Sequence, residues 1–202
     1  MLIGIQGGHS DGDGHIATIR IDIRDATADD ITSVVDLWGM LARHHEDISN
    51  DFTLAWNGKR KWAKYLEAKF DEISTKLIVA EEEGKVVGFM LCLLSPNTPV
   101  FRERKIGVIS DVFVLEERRR RGVAKKMLDV AIKWFKKNKV RSVRLGVAND
   151  NLEARAAWRR LGFEPYMIYK RLDLDRLERV PPVSAKRKKI VRQKKLEKRR
   201  GL

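Results

Sequence analysis

Arg119-Arg120-Arg121-Gly122-Val123-Ala124 places three guanidinium groups and one glycine at the entrance to an amphipathic segment. That combination is suited to holding phosphate. Glycine lets the backbone approach an anion closely, and the first N–H groups of a helix have no intrahelical partner. The helix dipole adds partial positive charge at the same end, and arginine matches phosphate oxygens in fork geometry. Basic residues at a helix start oppose the dipole unless an anion is to arrive there. The run therefore predicts a phosphorylated ligand. A Walker loop requires Gly, four residues, then Gly-Lys-Ser/Thr, which is absent; a dinucleotide fingerprint requires three glycines, and only Gly122 stands in this bend.

The bend must be presented by a strand and a helix. The β-branched run Ile106 to Val114 predicts the strand before it, and Val123, Met127, Val130, Ala131 and Trp134 recur at helical spacing after it. Upstream, Ile16 to Arg24 alternates apolar and polar residues as a strand with one buried face. Ala26 to Asp30 reads as a turn with capping-box chemistry, Thr27 being followed three residues later by Asp30. Ile31, Val34, Val35, Trp38 and Leu41 mark a first helix. Trp62, Leu66, Phe70 and Ile73 mark a second, from about Leu54 to Ile73. Leu77 to Glu81 and Val86 to Leu94 flank the turn Glu82-Glu83-Gly84-Lys85, a hairpin. Ser95 to Phe101 reads as a loop, Arg141 to Val147 as a strand. Asp150 is expected to cap a helix that ends at Leu161-Gly162, and Phe163 to Leu172 reads as a last strand interrupted by Pro165. The order β-α-α-β-β-β-α-β-α-β implies an α/β (α+β mixed) fold, with helices packed on a mixed sheet.

At 202 residues, with 43% hydrophobic and 35% charged residues, the chain suits one globular domain. Its longest apolar run, Val86 to Leu94, is strand-sized, so no membrane span is expected, and the start lacks the features of a secretory signal. The cytoplasm is the expected location. The single cysteine, Cys92, excludes an intramolecular disulfide framework, and with no activating neighbour it reads as a small core residue. Met1 to His15 reads as a disordered extension, whose Asp11-Gly12-Asp13-Gly14 lacks the distal ligands of a calcium loop; no metal site is expected. Formal net charge is +14, of which the ten Lys/Arg and one Glu from Ala185 to Leu202 supply +9. Beyond Val180-Pro181-Pro182, then, residues 181–202 form a basic tail. It is either a solvated extension or a salt-sensitive, sequence-independent anchor to RNA or ribosome; it has no interleaved aromatics for base stacking.

Arg119-x-x-Gly122-x-Ala124 resembles the pyrophosphate-binding signature of the GNAT superfamily of acetyl-coenzyme A-dependent N-acetyltransferases. Asp111-Val112-Phe113-Val114 is similar to the family's segment before that loop, and Asn151, Ala154, Trp158 and Leu161-Gly162-Phe163 are similar to its later one. Ile23-Arg24-Asp25-Ala26-Thr27-Ala28-Asp29-Asp30 resembles its first strand and turn. The matches run in the expected order from about Ile19 to Leu172. The resemblance implies the acyl-CoA N-acyltransferase fold, a mixed sheet of about six to seven strands flanked by about four helices, over residues 16–180. It also implies transfer of an acetyl group from acetyl-CoA to a primary amine, by direct attack in a ternary complex.

By resemblance, Val112, Phe113 and Val114 pair with the pantetheine arm like an added strand, and the N–H of Val112 or a near neighbour faces the oxyanion. Arg119, Arg120, Arg121, Gly122, Val123, Ala124 and Lys125 hold the pyrophosphate, and Asn151 and Trp158 contact the coenzyme arm. Asp111 is the candidate base, directly or through water, with a strand residue facing a polar neighbour as the alternative. Many relatives carry Tyr where Trp158 stands, and an indole has no useful acidity; Tyr166 is then the candidate acid, with Tyr169 or solvent as alternatives. His44 and His45 end the first helix, where relatives bind acceptor, and either assist there or are surface groups; Glu46 and Asp47 nearby could attract an amine. Two other readings stay open: a catalytically weak CoA-binding module of this fold, and a nucleic-acid- or ribosome-associated protein held by its tail. Family habit adds a homodimer. The amine acceptor itself is not identified by the sequence.

Overall fold

Period-2 alternation in the central strands exposes one apolar row to each side, so helices must cover both faces. The structure, a computed structural model, describes residues 20–174. Its elements are β1 (Asp22–Asp25), α1 (Ile31–Ile48), α2 (Gly58–Phe70), β2 (Thr75–Glu82), β3 (Lys85–Pro96), β4 (Lys105–Val114), α3 (Val123–Lys137), β5 (Val143–Arg144) and α4 (Leu152–Arg160). The strands lie side by side in chain order. β1 to β4 are antiparallel, and β5 is parallel to β4. That parallel neighbour requires a crossover, which α3 provides. The chain divides into two compact units, one ending at Gly162 and one beginning at Phe163.

Leu77 and Val79 of β2, Phe89 and Leu91 of β3 and Phe113 of β4 form one core with Val34, Leu37 and Leu41 of α1 and Leu66 of α2. The alternate residues, Ile78, Ala80, Met90 and Cys92, are fully buried on the opposite face, where α3 packs with Met127, Leu128, Ala131 and Phe135. There the approach is close: a Cβ on Gly107 would lie 2.7 Å from the Phe135 ring, so β4 carries glycine at that point. Burial pushes the Cys92 thiol up to about 12, against a smaller opposing pull from Lys76. The Arg24 guanidinium clamps Asp30 (2.6 and 2.9 Å) and Glu81 (2.7 and 2.5 Å), tying β1 to β2 and to the turn before α1. Its hydrogen bonds hold the Asp30 carboxyl down at about 2, helped by the Thr27 N–H.

Several expectations are corrected. Five strands are present among the described residues, fewer than the six to seven expected. The predicted strand Arg141 to Val147 shrinks to Val143–Arg144, and residues 163–172 form no strand. Pro165 removes a ladder donor there, and a two-residue β5 offers almost no edge to extend. α2 starts at Gly58, since Ala55 to Gly58 closes a turn, and it ends at Phe70; Ile73, taken for its apolar stripe, lies in the turn into β2, 92% exposed. The hairpin turn falls where expected, Glu82 pairing with Lys85 around the two central residues Glu83 (φ +50°) and Gly84 (φ +76°). The α4 cap is Asn151, not Asp150, while Gly162 (φ +90°) follows its last turn as expected. The calls on residues 1–15 and 181–202 lie outside the described residues, as do Ile16 to Ile19.

Candidate active site

The site begins with one extra residue in β4. Leu91 pairs with Asp111 and Cys92 with Ile109, so Ser110 is a bulge. A bulge bends a strand and ends pairing beside it. β5 accordingly pairs with Gly107 and Val108, ahead of the bulge, and no further. Past Ser110 that side of β4 runs without a partner strand among the described residues. The Leu115 N–H donates to the Val87 carbonyl at 2.9 Å. Ladder alternation then turns Asp111 and Phe113 toward β3, and the N–H and C=O of Val112 and Val114 toward the open side.

This edge leads into the basic bend. Arg118 Nε donates to the buried Glu82 carboxylate at 2.5 Å, fixing the bend to the end of β2. Arg119 Nε donates to the outward carbonyl of Val114 at 3.1 Å, and its guanidinium lies 5.6 Å from the Phe113 ring centroid. Its side chain thus braces the bend from within, while Arg120, Arg121 and Lys125 are exposed, Lys125 paired with Asp129 at 2.9 Å. Arg120 (φ +61°) and Gly122 (φ +76°) are both left-handed, a costly conformation for arginine that functional loops retain. A Cβ on Gly122 would meet no protein atom within 4 Å, so glycine is needed there for its φ. The first helical bond runs from Lys126 N to Gly122 O at 3.0 Å. The amides of residues 120–125 donate to no protein acceptor among the described residues. Six consecutive amides and two free guanidinium groups can therefore converge on an anion.

Asp111 sits where bulge and open edge meet. Trp38 Nε1 of α1 donates to its Oδ1 at 3.0 Å, and Ser110 Oγ donates to its Oδ2 at 2.6 Å. Trp38 is in turn stacked on Trp62 of α2, centroids 4.7 Å apart and planes 11° from parallel. His45, seven residues after Trp38 and so on the same helix face, packs beside Phe52 at 5.5 Å. Burial and the neighbouring His44 lower its pKa below the usual imidazole value, while the Asp111 charge pulls the other way. Glu46 accepts from the Leu54 N–H at 2.7 Å, so it organises the loop after α1.

The structure thus gathers Asp111, Val112, Phe113, Val114 and the bend from Arg119 to Lys125 into one continuous surface. Asn151 caps α4, its Oδ1 accepting from Ala154 N at 2.9 Å, and Trp158 is half-buried on the same helix. Tyr166 belongs to the second unit and is 72% exposed. Sequence reasoning missed the Trp38 bond to Asp111, the nearness of His45 to that carboxylate, and the Arg118–Glu82 anchor. The seven-residue spacing of Trp38 and His45 was the available signal, masked because Trp38 also fits an apolar stripe. Among the described residues no group of three or more His, Cys, Asp or Glu could hold a metal ion, and no helix is long and apolar enough to cross a membrane.

A mixed sheet parted beside β4, with a basic bend at the head of the next helix, defines an α/β protein with helices on both faces of its sheet. The chain belongs to the Acetyltransferase (GNAT) family, whose pattern matches residues 41–163. An uncharacterized N-acetyltransferase of Methanocaldococcus jannaschii is 30% identical over 149 residues, which is 73% of this chain and 62% of that protein's length. The fold matches the structure of a predicted acetyltransferase with acetyl-CoA from Clostridium acetobutylicum, at TM-score 0.65 and 18% identity, covering 77% of this chain and 97% of that one. It also matches an aminoglycoside antibiotic 6′-N-acetyltransferase from Acinetobacter haemolyticus, at TM-score 0.59 and 18% identity, covering 75% and 99%.

Proposed function

We propose that this protein transfers an acetyl group from acetyl-CoA to a primary amine by direct attack. The observation that carries the reading is the outward amides of Val112 and Val114 on the open side of β4, followed in the bend before α3 by the unpartnered amides of residues 120–125. An extended pantetheine arm fits that edge as an added strand, and its diphosphate fits the amides of residues 120–125. The chemistry then requires few groups. The amine nitrogen attacks the thioester carbon, the carbonyl oxygen takes the negative charge, and the Val112 N–H faces it. Collapse breaks the carbon–sulfur bond and releases the CoA thiolate. Asp111, oriented by Trp38 and Ser110, receives the amine proton directly or through water. Tyr166 is the candidate donor to the thiolate, with water as the alternative. Asn151 keeps its Nδ2 as a possible donor to the coenzyme arm while Oδ1 caps α4. The acceptor is a small-molecule amine, as in the aminoglycoside enzymes of this fold, or a protein amino group.

Calorimetric titration with acetyl-CoA tests the reading, followed by thiol release over an amine panel. Gly122→Trp should weaken acetyl-CoA binding by at least about tenfold, because any L side chain strains φ +76° and an indole covers the amides. Circular dichroism would show the fold retained. Unchanged affinity in that variant would remove the bend from the site. Binding without thiol release from any amine would leave a coenzyme-binding module in place of an enzyme.

A further inference from the structure

Apart from the bend, a basic surface lies along α3. The exposed positions of this helix are five lysines and Asp129. Arg120 and Arg121 lead into it, and Lys139 and Arg141 lead out. Lys125 is paired with Asp129; no carboxylate pairs with Lys126, Lys133, Lys136 or Lys137 among the described residues. On α2, Lys59 pairs with Asp36 at 2.6 Å and Lys69 with Glu72 at 2.9 Å, while Lys61 and Lys64 have no carboxylate partner among the described residues and basic residues do not continue beyond the helix at both ends. Lys126, Lys133 and Lys137 follow one another at spacings of seven and four residues. They form a line down one side of the helix, about 10 and 6 Å apart along its axis.

We propose that the outer face of α3 binds the sugar–phosphate backbone of a nucleic acid strand. The composition argues against the other polyanionic partners. A protein interface carries aromatic or aliphatic anchors at its centre, and the exposed positions of α3 contain none. A helix that lies on anionic lipid inserts its apolar face, and here that face, with Met127, Ala131 and Phe135, is buried against the sheet. A line of ammonium groups with nothing apolar between them suits phosphates at sequence-independent spacing. The helix spans about 22 Å, long enough to contact several successive phosphates. This inference does not depend on the acetyl-transfer reading, because it uses the side chains of Lys126, Lys133 and Lys137, none of which that reading places against the coenzyme.

The test is fluorescence anisotropy with labelled 20-nucleotide oligouridylate and oligothymidylate, titrated at several salt concentrations with the full chain. In the triple variant Lys126→Gln, Lys133→Gln, Lys137→Gln, affinity near physiological salt should fall at least about tenfold for one or both strands. The slope of log affinity against log salt should flatten by about 2, from about 0.7 per lost contact on a single strand. Glutamine keeps helix propensity, so circular dichroism should be unchanged. The comparison strand shows which nucleic acid is preferred. A charge-matched variant on α2, Lys59→Gln, Lys61→Gln, Lys64→Gln, should bind as the parent chain does. The proposal is overturned if the two triple variants lose equally, which would mean net charge alone acts. It is also overturned if neither oligonucleotide binds, if the α3 variant keeps its affinity and slope, or if polyglutamate of equal charge displaces the strand as well as unlabelled oligonucleotide.

Discussion

Asp111 is held by two donors from different elements, an indole N–H from α1 and the hydroxyl of its own bulge. That fixes a carboxylate at the mouth of the opened sheet, and His45 adds a titration beside it. A histidine whose folded pKa is lowered binds its proton less readily than in the unfolded chain. Above the usual value of 6.5 both states are neutral and nothing is gained or lost; as pH falls below it, the unfolded chain protonates first, and stability declines toward the lowered value. In the proposed active site the same protonation would place a cation beside the incoming ammonium and Asp111. Acetyl transfer should therefore fall on the acid side of neutrality with an apparent pKa below 6.5, and His45→Gln should remove that limb. Asp111→Asn should cut kcat by about a hundredfold or more while acetyl-CoA affinity stays put. It should also push the His45 titration, followed by NMR, further down, because the Coulombic pull that opposes the lowering is gone. An unmoved imidazole would disconnect the two residues. At this scale the bend was read from local motif chemistry and Asp111 from a family resemblance. Neither pointed to Trp38 as the partner of Asp111, because a tryptophan on an apolar helix face carries no mark of what its N–H will find 73 positions later.

At the scale of elements, β4 does several jobs within ten residues. It buries Phe113 against α1 and α2, admits Phe135 of α3 over Gly107, bulges at Ser110, and delivers the bend. Gly107→Ala tests how tightly these are joined. A methyl group 2.7 Å from a ring that is itself buried must displace the ring or the strand. Destabilisation by about 1–3 kcal/mol is expected in urea unfolding, and a change below the error of that measurement would show α3 free to shift. Periodicity located α1, α2 and α3, each of which hides an apolar face, whereas α4, which buries no residue, was read from the residues at its two ends. Periodicity overran β5, because a bulge in one strand decides how far its neighbour can pair, and no pattern within Arg141 to Val147 records that. It overran the last strand for a similar reason: Phe163 to Leu172 has strand-like residues, but pairing depends on an edge supplied elsewhere.

For the whole molecule, charge and core are separated. Among the described residues, the sheet and its two helical layers hold the buried apolar core, while Arg120, Arg121 and the lysines of α3 are exposed; in the sequence the stretch from Ala185 onward adds a further +9. Composition alone disclosed the excess of Lys and Arg but not its alignment, which appears only when α3 is set on the sheet. The interior also carries a reporter. Cys92 is the single thiol of the chain, has no accessible surface, and resists ionisation up to about 12. A disulfide reagent should thus leave the native protein untouched and take up one equivalent once the strands part. Its rate of reaction would measure how often the sheet opens, without any label or engineered probe.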